Sequence, residues 1–170
     1  IHSFGDSLLK DYYYLLGYTK PPVLINEIQK TKIVEKILSE NDPIDELIDR
    51  YKNFYLDMFK AKGILELMKG YFSAIQEGMS QDDLKESSGL QPKTVDVIYS
   101  MYMQYDKYKK EACLIEHSDQ ELGVLKLLRV HPELFDEVGI EHISVDEYQD
   151  TSNVQFEIIN AMRKASCVKS

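Results

Sequence analysis

Three acidic residues stand close together where a short apolar run ends, in the stretch ISVDEYQDT at 143–151. Asp146 and Glu147 directly follow the run, and Asp150 lies three residues further on. An aspartate at the end of a strand can hold Mg²⁺ beside the phosphates of a nucleotide. The neighbouring glutamate can polarise an attacking water, since adjacent residues reach metal and water from one place. For these two residues alone, a solvated turn is an equally good interpretation.

The flanking residues predict how this acidic stretch is held. Residues 141–145 form the one convincing strand of the sequence, and a helix is predicted from Asn153 to Arg163. Ser152 and Gln155 have the spacing of a capping box, in which each side chain bonds the backbone N–H of the other. We therefore favour a structural role for Gln155 over a functional one. A lone strand cannot satisfy its backbone groups, so its sheet partners are expected outside this chain.

The remainder of the sequence predicts helices. Apolar residues recur at helical spacing in several segments, which are 3–17, 24–40, one or two helices within 44–78, a short helix within 78–92, 93–115 and 119–129. Gly17 is expected to end the first helix. Asn41 or Asp42 is expected to cap the helix after the second. The fold class predicted from this pattern is mainly α.

Composition narrows the class of protein. The chain has 170 residues, 44% of them hydrophobic, and a formal net charge of −9. No apolar run approaches the roughly 20 residues of a membrane span, so no membrane association is expected.

Cys113 and Cys167 fit no metal or redox spacing and indicate reduced thiols in a cytoplasmic protein. The acidity gives no sign of a nucleic-acid clamp, and the KYKK cluster (107–110) is better explained as a solvated helix face. The twelve tyrosines are better explained by packing than by base stacking.

The string VDEYQDT, followed by Gln155, resembles motif II of the UvrD/Rep-type superfamily 1 DNA helicases. Tyr148, Gln149, Asp150 and Thr151 match that motif in order. The opening IHSF resembles the motif Ib region of the same family, and the stretch from 129 to 151 resembles its approach to motif II. The family carries an inserted, mainly helical subdomain between these two motifs, and the sequence between them here is mainly helical.

The resemblance implies roles for individual residues. Asp146 would be the Mg²⁺ ligand of a Walker B element, and Glu147 would be the catalytic base for ATP hydrolysis. Gln149 and Asp150 would couple the nucleotide site to the DNA-binding motifs. Tyr148 matches the aromatic position of the motif.

Two further positions are implied near DNA. His2 and Ser3 belong to the motif Ib region and would lie near the single strand. A helix N-terminus explains Ser3 equally well.

The resemblance also implies a domain organisation. Residues 1–4 would form the edge of a motor domain, 5–140 the inserted helical subdomain, and 141–170 the Walker B strand and following helix. These last elements would be a remnant of an α/β RecA-like P-loop NTPase domain. The full protein would use ATP and Mg²⁺, bind single-stranded and forked DNA, and act in DNA repair or replication with protein partners.

No P-loop of the form G-x-x-x-x-G-K-[ST] is found in the chain. Lys30-Thr31 follows Gln29 and Lys169-Ser170 follows Val168, while Lys93-Thr94 has Ser87 and Pro92 at the glycine positions. The family's Walker A precedes motif Ib, so the chain is expected to be an internal fragment. Such a fragment should not hydrolyse ATP by itself, because the carboxylates would have no phosphate cradle.

Two alternatives stay open. In the first, the chain is a helical protein-interaction module with a degenerate acidic motif, and Glu147→Gln would change only local stability. In the second, the parent protein is a helicase–nuclease fusion whose nuclease domain lies beyond this sequence.

Overall fold

The computed structural model describes residues 2–50, 57–134 and 151–167. The elements, in chain order, are α1 (His2–Tyr12), a 3-10 helix (Tyr13–Leu16), β1 (Val23–Leu24), α2 (Glu27–Glu40), α3 (Asp45–Arg50), α4 (Asp57–Gln76), α5 (Gln81–Ser88), α6 (Pro92–Ala112), β2 (Leu114–Ile115), α7 (His117–Val130) and α8 (Asn153–Cys167). The described chain is thus mostly helical, as the sequence predicted. The predicted strand at 141–145 lies outside the described residues, so the RecA-like remnant stays a prediction.

The chain divides into two compact units. One unit, here called the split unit, combines Ile1–Leu24 with Cys113–Ser170. The other, the continuous unit, is Ile25–Ala112. These limits differ from the boundaries at 4/5 and 140/141 expected from the sequence, because α1 and α7 pack together within one unit.

In the split unit, α7 packs against both α1 and α8. The buried cluster at these contacts consists of Leu8, Leu9, Ile115, Val124, Leu125, Leu127, Leu128, Leu134, Ile158 and Met162. α1 and α7, which pack together, are far apart in the sequence. Burial of apolar area therefore stabilises a contact that local sequence does not specify.

In the continuous unit, α2 packs against α4 and α6, α5 packs against α6, and α3 packs against α4. Phe72 and Tyr105 lie at its centre, both fully buried, with ring centroids 5.3 Å apart. Polar links join α2 to α4: Lys30 Nζ donates to Ser73 Oγ at 3.0 Å, and Lys69 pairs with Glu27 at 3.0 Å.

Two short strands, which the sequence did not predict, lie where the chain passes between the units. β1 and β2 pair in parallel, with Val23 opposite Leu114 and Leu24 opposite Ile115. The N–H of Val23 also donates to the carbonyl of Cys113 at 3.0 Å. The chain therefore leaves the split unit and returns to it at neighbouring points.

The predicted helix ends are partly confirmed. Gly17 ends the first helical segment with φ 84°, in the left-handed region that glycine adopts without strain. Asn41 or Asp42 was predicted to cap the next helix, and neither does so, because α3 starts only at Asp45. Asn41 instead ends α2, where its side chain donates to the carbonyl of Ile37 at 2.7 Å.

Among the described residues, the helices are too short or too polar for any of them to span a membrane.

Candidate functional site

The acidic core of the predicted site lies outside the described residues. This holds for Asp146, Glu147, Tyr148, Gln149 and Asp150. Their roles as metal ligand, base and coupling residues stay predictions. The structure does describe the segment directly after them in the chain, which is the N-terminus of α8.

The N-terminus of α8 carries the predicted capping box. The N–H of Gln155 donates to Ser152 Oγ at 3.1 Å, and the N–H of Ser152 donates to Gln155 Oε1 at 3.4 Å. These bonds satisfy two backbone donors that the first turn of a helix would leave free. The predicted capping box is confirmed, and it fixes the start of α8.

Gln155 also makes a bond that the sequence did not predict. Its side-chain nitrogen Nε2 donates to Glu121 Oε1, on α7, at 2.6 Å, and both side chains are half-buried. A hydrogen bond to a carboxylate is stronger than one between neutral groups. The two residues are 34 positions apart, so no local pattern could have found the pair.

Gln120, the residue before Glu121, bonds α1, the other helix that packs against α7. Gln120 is 1% exposed, and its Nε2 donates to Asp6 Oδ1, on α1, at 2.5 Å. Gly5 lets the helices approach here, because a Cβ at that position would lie 3.2 Å from Val124 Cγ2. α1 is thus bonded to α7 one turn after the residues predicted to lie near DNA.

Those residues open α1. The helix begins at His2 and includes Ser3, but their side chains are not among those described. Ser3 is the second residue of α1, so it lies in the first turn of the helix and not at the N-cap position before it. A position near single-stranded DNA stays a prediction for both residues.

A second polar contact joins α7 to α8 nearer the C-terminal end of α7. Arg129 pairs with Glu157 at 2.8 Å, with both side chains at least half exposed. Beside this pair lies a cleft of about 330 Å³, lined also by Leu128, Pro132 and Lys164. An exposed ion pair of this kind contributes little stability.

The KYKK cluster does not form a free basic patch. Lys110 pairs with Asp106 at 2.6 Å and Lys107 with Glu111 at 3.8 Å. Lys109 is 1% exposed, with its ammonium 4.9 Å from the centroid of the Tyr105 ring. The interpretation of this segment as a helix face rather than a phosphate clamp is supported.

The tyrosines of the stretch at 12–18 differ in how far they are buried. Tyr12, Tyr13 and Tyr18 are half-buried, and Tyr12 and Tyr18 pack against the core of the split unit. Tyr14 is 58% exposed, with its ring edge-on to Tyr13 at 5.9 Å. Packing therefore accounts for most of these rings.

Within 2–50, 57–134 and 151–167, no group of three His, Cys, Asp or Glu side chains could hold a metal ion. A groove of about 740 Å³ lies in the continuous unit, lined mainly by apolar side chains of α2, α3, α4 and the connection between α2 and α3, which include Leu38, Ile44, Ile48 and Leu65. Its lining includes none of the predicted site residues.

Comparison with known proteins identifies the family. Residues 1–168 match the model of the UvrD/REP helicase N-terminal domain. The chain is 31% identical over 127 residues to an ATP-dependent helicase/nuclease subunit of Natranaerobius thermophilus, covering 74% of the chain and 10% of that protein. It is also 31% identical over 140 residues to the protein of the same name from Staphylococcus carnosus, covering 76% of the chain and 11% of that protein. The chain spans about a tenth of the length of these relatives. It belongs to the UvrD/REP helicase family, and it corresponds to part of the N-terminal domain of that family.

Proposed function

We propose that this chain is a segment of an ATP-dependent DNA helicase that couples Mg-ATP hydrolysis to translocation on single-stranded DNA and to unwinding of forked DNA. The observation that carries the proposal is the family match over residues 1–168, which includes the VDEYQDT string. The protein would work in the cytoplasm, in DNA repair or replication. The segment alone is proposed to be inactive, since it contains no Walker A sequence.

The chemistry is assigned to the adjacent acids. Asp146 would hold Mg²⁺, which neutralises phosphate charge when bound. A carboxylate oxygen suits this ion, which commonly takes one or two carboxylates and completes its shell with phosphates and water. Glu147 would accept a proton from the attacking water.

Coupling to DNA is assigned to neighbouring positions. Gln149 and Asp150 would transmit the state of the nucleotide site to the DNA-binding motifs. His2 and Ser3 would lie near the single strand. The described contacts of α7 with α1 and α8 support a short physical connection between these two regions of sequence.

We further propose that the inserted subdomain is the continuous unit, Ile25–Ala112, rather than residues 5–140. The parallel pairing of β1 with β2 supports this limit, since it brings the two crossings of the chain together. Replacing 25–112 with a short Gly/Ser linker in the full-length protein should leave hydrogen-exchange protection in α7 and α8 unchanged. Loss of that protection would contradict the limit.

The test of function is ATP hydrolysis by the full-length protein, with and without single-stranded DNA. We expect DNA to stimulate turnover and Glu147→Gln to lower it by about 100-fold or more, the contribution typical of a general base. Glu86→Gln is the matched control, because Glu86 is an exposed glutamate of α5. Absence of turnover, or turnover indifferent to Glu147, would favour a helical protein-interaction module.

A helicase–nuclease is a second candidate, favoured because both relatives are named as helicase/nuclease proteins. The full-length protein would then degrade single-stranded DNA in the presence of Mg²⁺, and Glu147→Gln would not abolish this cleavage in the absence of ATP. If the DNA stays intact after prolonged incubation, the helicase–nuclease candidate is rejected and the helicase proposal remains.

A further inference from the structure

α7 has polar side chains that bond to both of its neighbours from consecutive positions. Gln120 bonds Asp6 of α1, and Glu121 bonds Gln155 of α8. Consecutive residues of a helix point about 100° apart, so one turn of α7 can reach two different helices. The two bonds lie on different sides of a single rigid element.

Each bond ends beside a motif of the proposed motor. Asp6 lies one helical turn after His2. Gln155 belongs to the cap of α8, and Ser152 of that cap lies two residues after Asp150. A displacement of α1 would reach the end of the acidic motif through only two side-chain bonds and one helix.

The packing around these bonds is tight enough to transmit a displacement. A Cβ on Gly123 would lie 3.1 Å from Leu16 Cδ1 and 3.3 Å from Leu9 Cδ2. On the other side, Ile158 and Met162 of α8 belong to the same buried cluster as Leu125 and Leu128 of α7. Close-packed helices shift together rather than deforming independently.

We propose that the Asp6–Gln120 and Glu121–Gln155 bonds make α7 a coupling element between the DNA-proximal start of α1 and the exit of the acidic motif. Glu121 and Gln120 are positioning residues that act through Gln155 and Asp6. This inference rests on the proposed ATP-driven function. It assigns to α7 a part of the coupling that the resemblance places in Gln149 and Asp150.

The test uses the ratio of ATP turnover with saturating single-stranded DNA to turnover without DNA, in the full-length protein. Glu121→Ala removes the acceptor for Gln155 Nε2 and should lower this ratio by about fivefold or more, the lower range of measured allosteric couplings. Arg129→Ala is the matched control. It breaks another α7–α8 contact, one that is exposed and does not involve the capping box, and should leave the ratio within about twofold because such pairs are weak.

A swap of the two side chains separates the Glu121–Gln155 bond from the capping box. Gln155→Glu keeps the capping box, which accepts Glu or Gln at this position, but places two carboxylates together. The ratio should fall in that variant. Adding Glu121→Gln restores one donor and one acceptor with the direction reversed, and the ratio should recover. Loss of the cap would not explain this pattern, because the cap is present in both variants.

A binding measurement provides a readout that does not depend on catalysis. Coupling between two binding sites is reciprocal, so a non-hydrolysable ATP analogue should change the affinity of the wild type for single-stranded DNA, and less so for Glu121→Ala. Wild-type ratios in both Glu121→Ala and Gln155→Glu would overturn the coupling role while leaving the proposed function intact. A wild type that shows no DNA-stimulated turnover would overturn both.

Discussion

The two units of this chain are built by different means. The continuous unit is contiguous in sequence, and its helices carry local caps, such as the reciprocal box of Asn26 and Gln29 at the start of α2. The split unit joins the first 24 residues to those after 112, and polar side chains join its helices across long separations. Both units have capped helices and polar links between helices, such as Lys30 to Ser73 in the continuous unit and Gln120 to Asp6 in the split unit. The difference is that the split unit depends on contacts between the two ends of the chain.

The interiors differ in the same sense. The continuous unit has aromatic rings at its centre, where Phe72 meets Tyr102 and Tyr105 with ring centroids 5.8 and 5.3 Å apart. The split unit has an aliphatic core with close helix approaches at Gly5 and Gly123. The continuous unit should therefore be sensitive to loss of side-chain volume, and the split unit to added side-chain volume.

Loss of the central ring is expected to have the largest effect. Phe72→Ala should destabilise the continuous unit by about 3–5 kcal/mol, because it removes a fully buried ring and leaves a cavity. Hydrogen exchange of the full-length protein should show reduced protection in α4 and α6, with α7 and α8 unchanged. Phe72→Leu is the control and should have a smaller effect in the same helices. Equal loss of hydrogen-exchange protection in both units would contradict the expectation that they unfold independently.

Two glycine substitutions compare added volume in the two units. Gly70 in α4 has no atom within 4 Å of an added Cβ, so Gly70→Ala should stabilise that helix by about 0.5–1 kcal/mol through helix propensity. Gly123→Ala should instead destabilise the split unit by about 1 kcal/mol, since the clash with Leu9 and Leu16 outweighs that gain. Chemical denaturation of the full-length variants, with local exchange in each helix, measures both. A gain at Gly123 equal to that at Gly70 would mean that α1 and α7 pack loosely.

A smaller, pH-dependent effect is expected where α3 meets the start of α6. The hydroxyl of Thr94, the N–H of Gln91 and the charge of Arg50 lower the pKa of the Glu46 carboxyl from its ordinary value of 4.5. Because the pKa is lower in the folded chain, the carboxylate stabilises the fold above about pH 4.5. That contribution is lost as the pH falls through the lower folded value.

The measurement is hydrogen exchange in α3 between neutral pH and the acid range below the ordinary pKa of Glu46. Wild type should lose protection on acidification relative to Glu46→Gln, which cannot titrate. The same pH profile in both proteins would show that Glu46 does not hold α3.

Helical periodicity predicted most elements, because amphipathic spacing reports burial directly. The cap at Gly17 and the box of Ser152 and Gln155 were also predictable, since such motifs are local. The cap predicted at Asn41 or Asp42 was wrong, because the Asn41 side chain can bond a carbonyl behind it as well as an N–H ahead of it. The short strands and the Glu121–Gln155 bond were not predictable, since their partners lie far apart in the chain.

The most direct test of the account is steady-state ATP turnover by the full-length protein with single-stranded DNA. The test compares two variants, each with one acidic residue replaced, one residue from each unit. The account predicts that Glu147→Gln, in the split unit, abolishes DNA-stimulated turnover while Glu86→Gln, in the continuous unit, leaves it unchanged. Turnover that survives Glu147→Gln would contradict the assignment of ATP chemistry to the acidic motif.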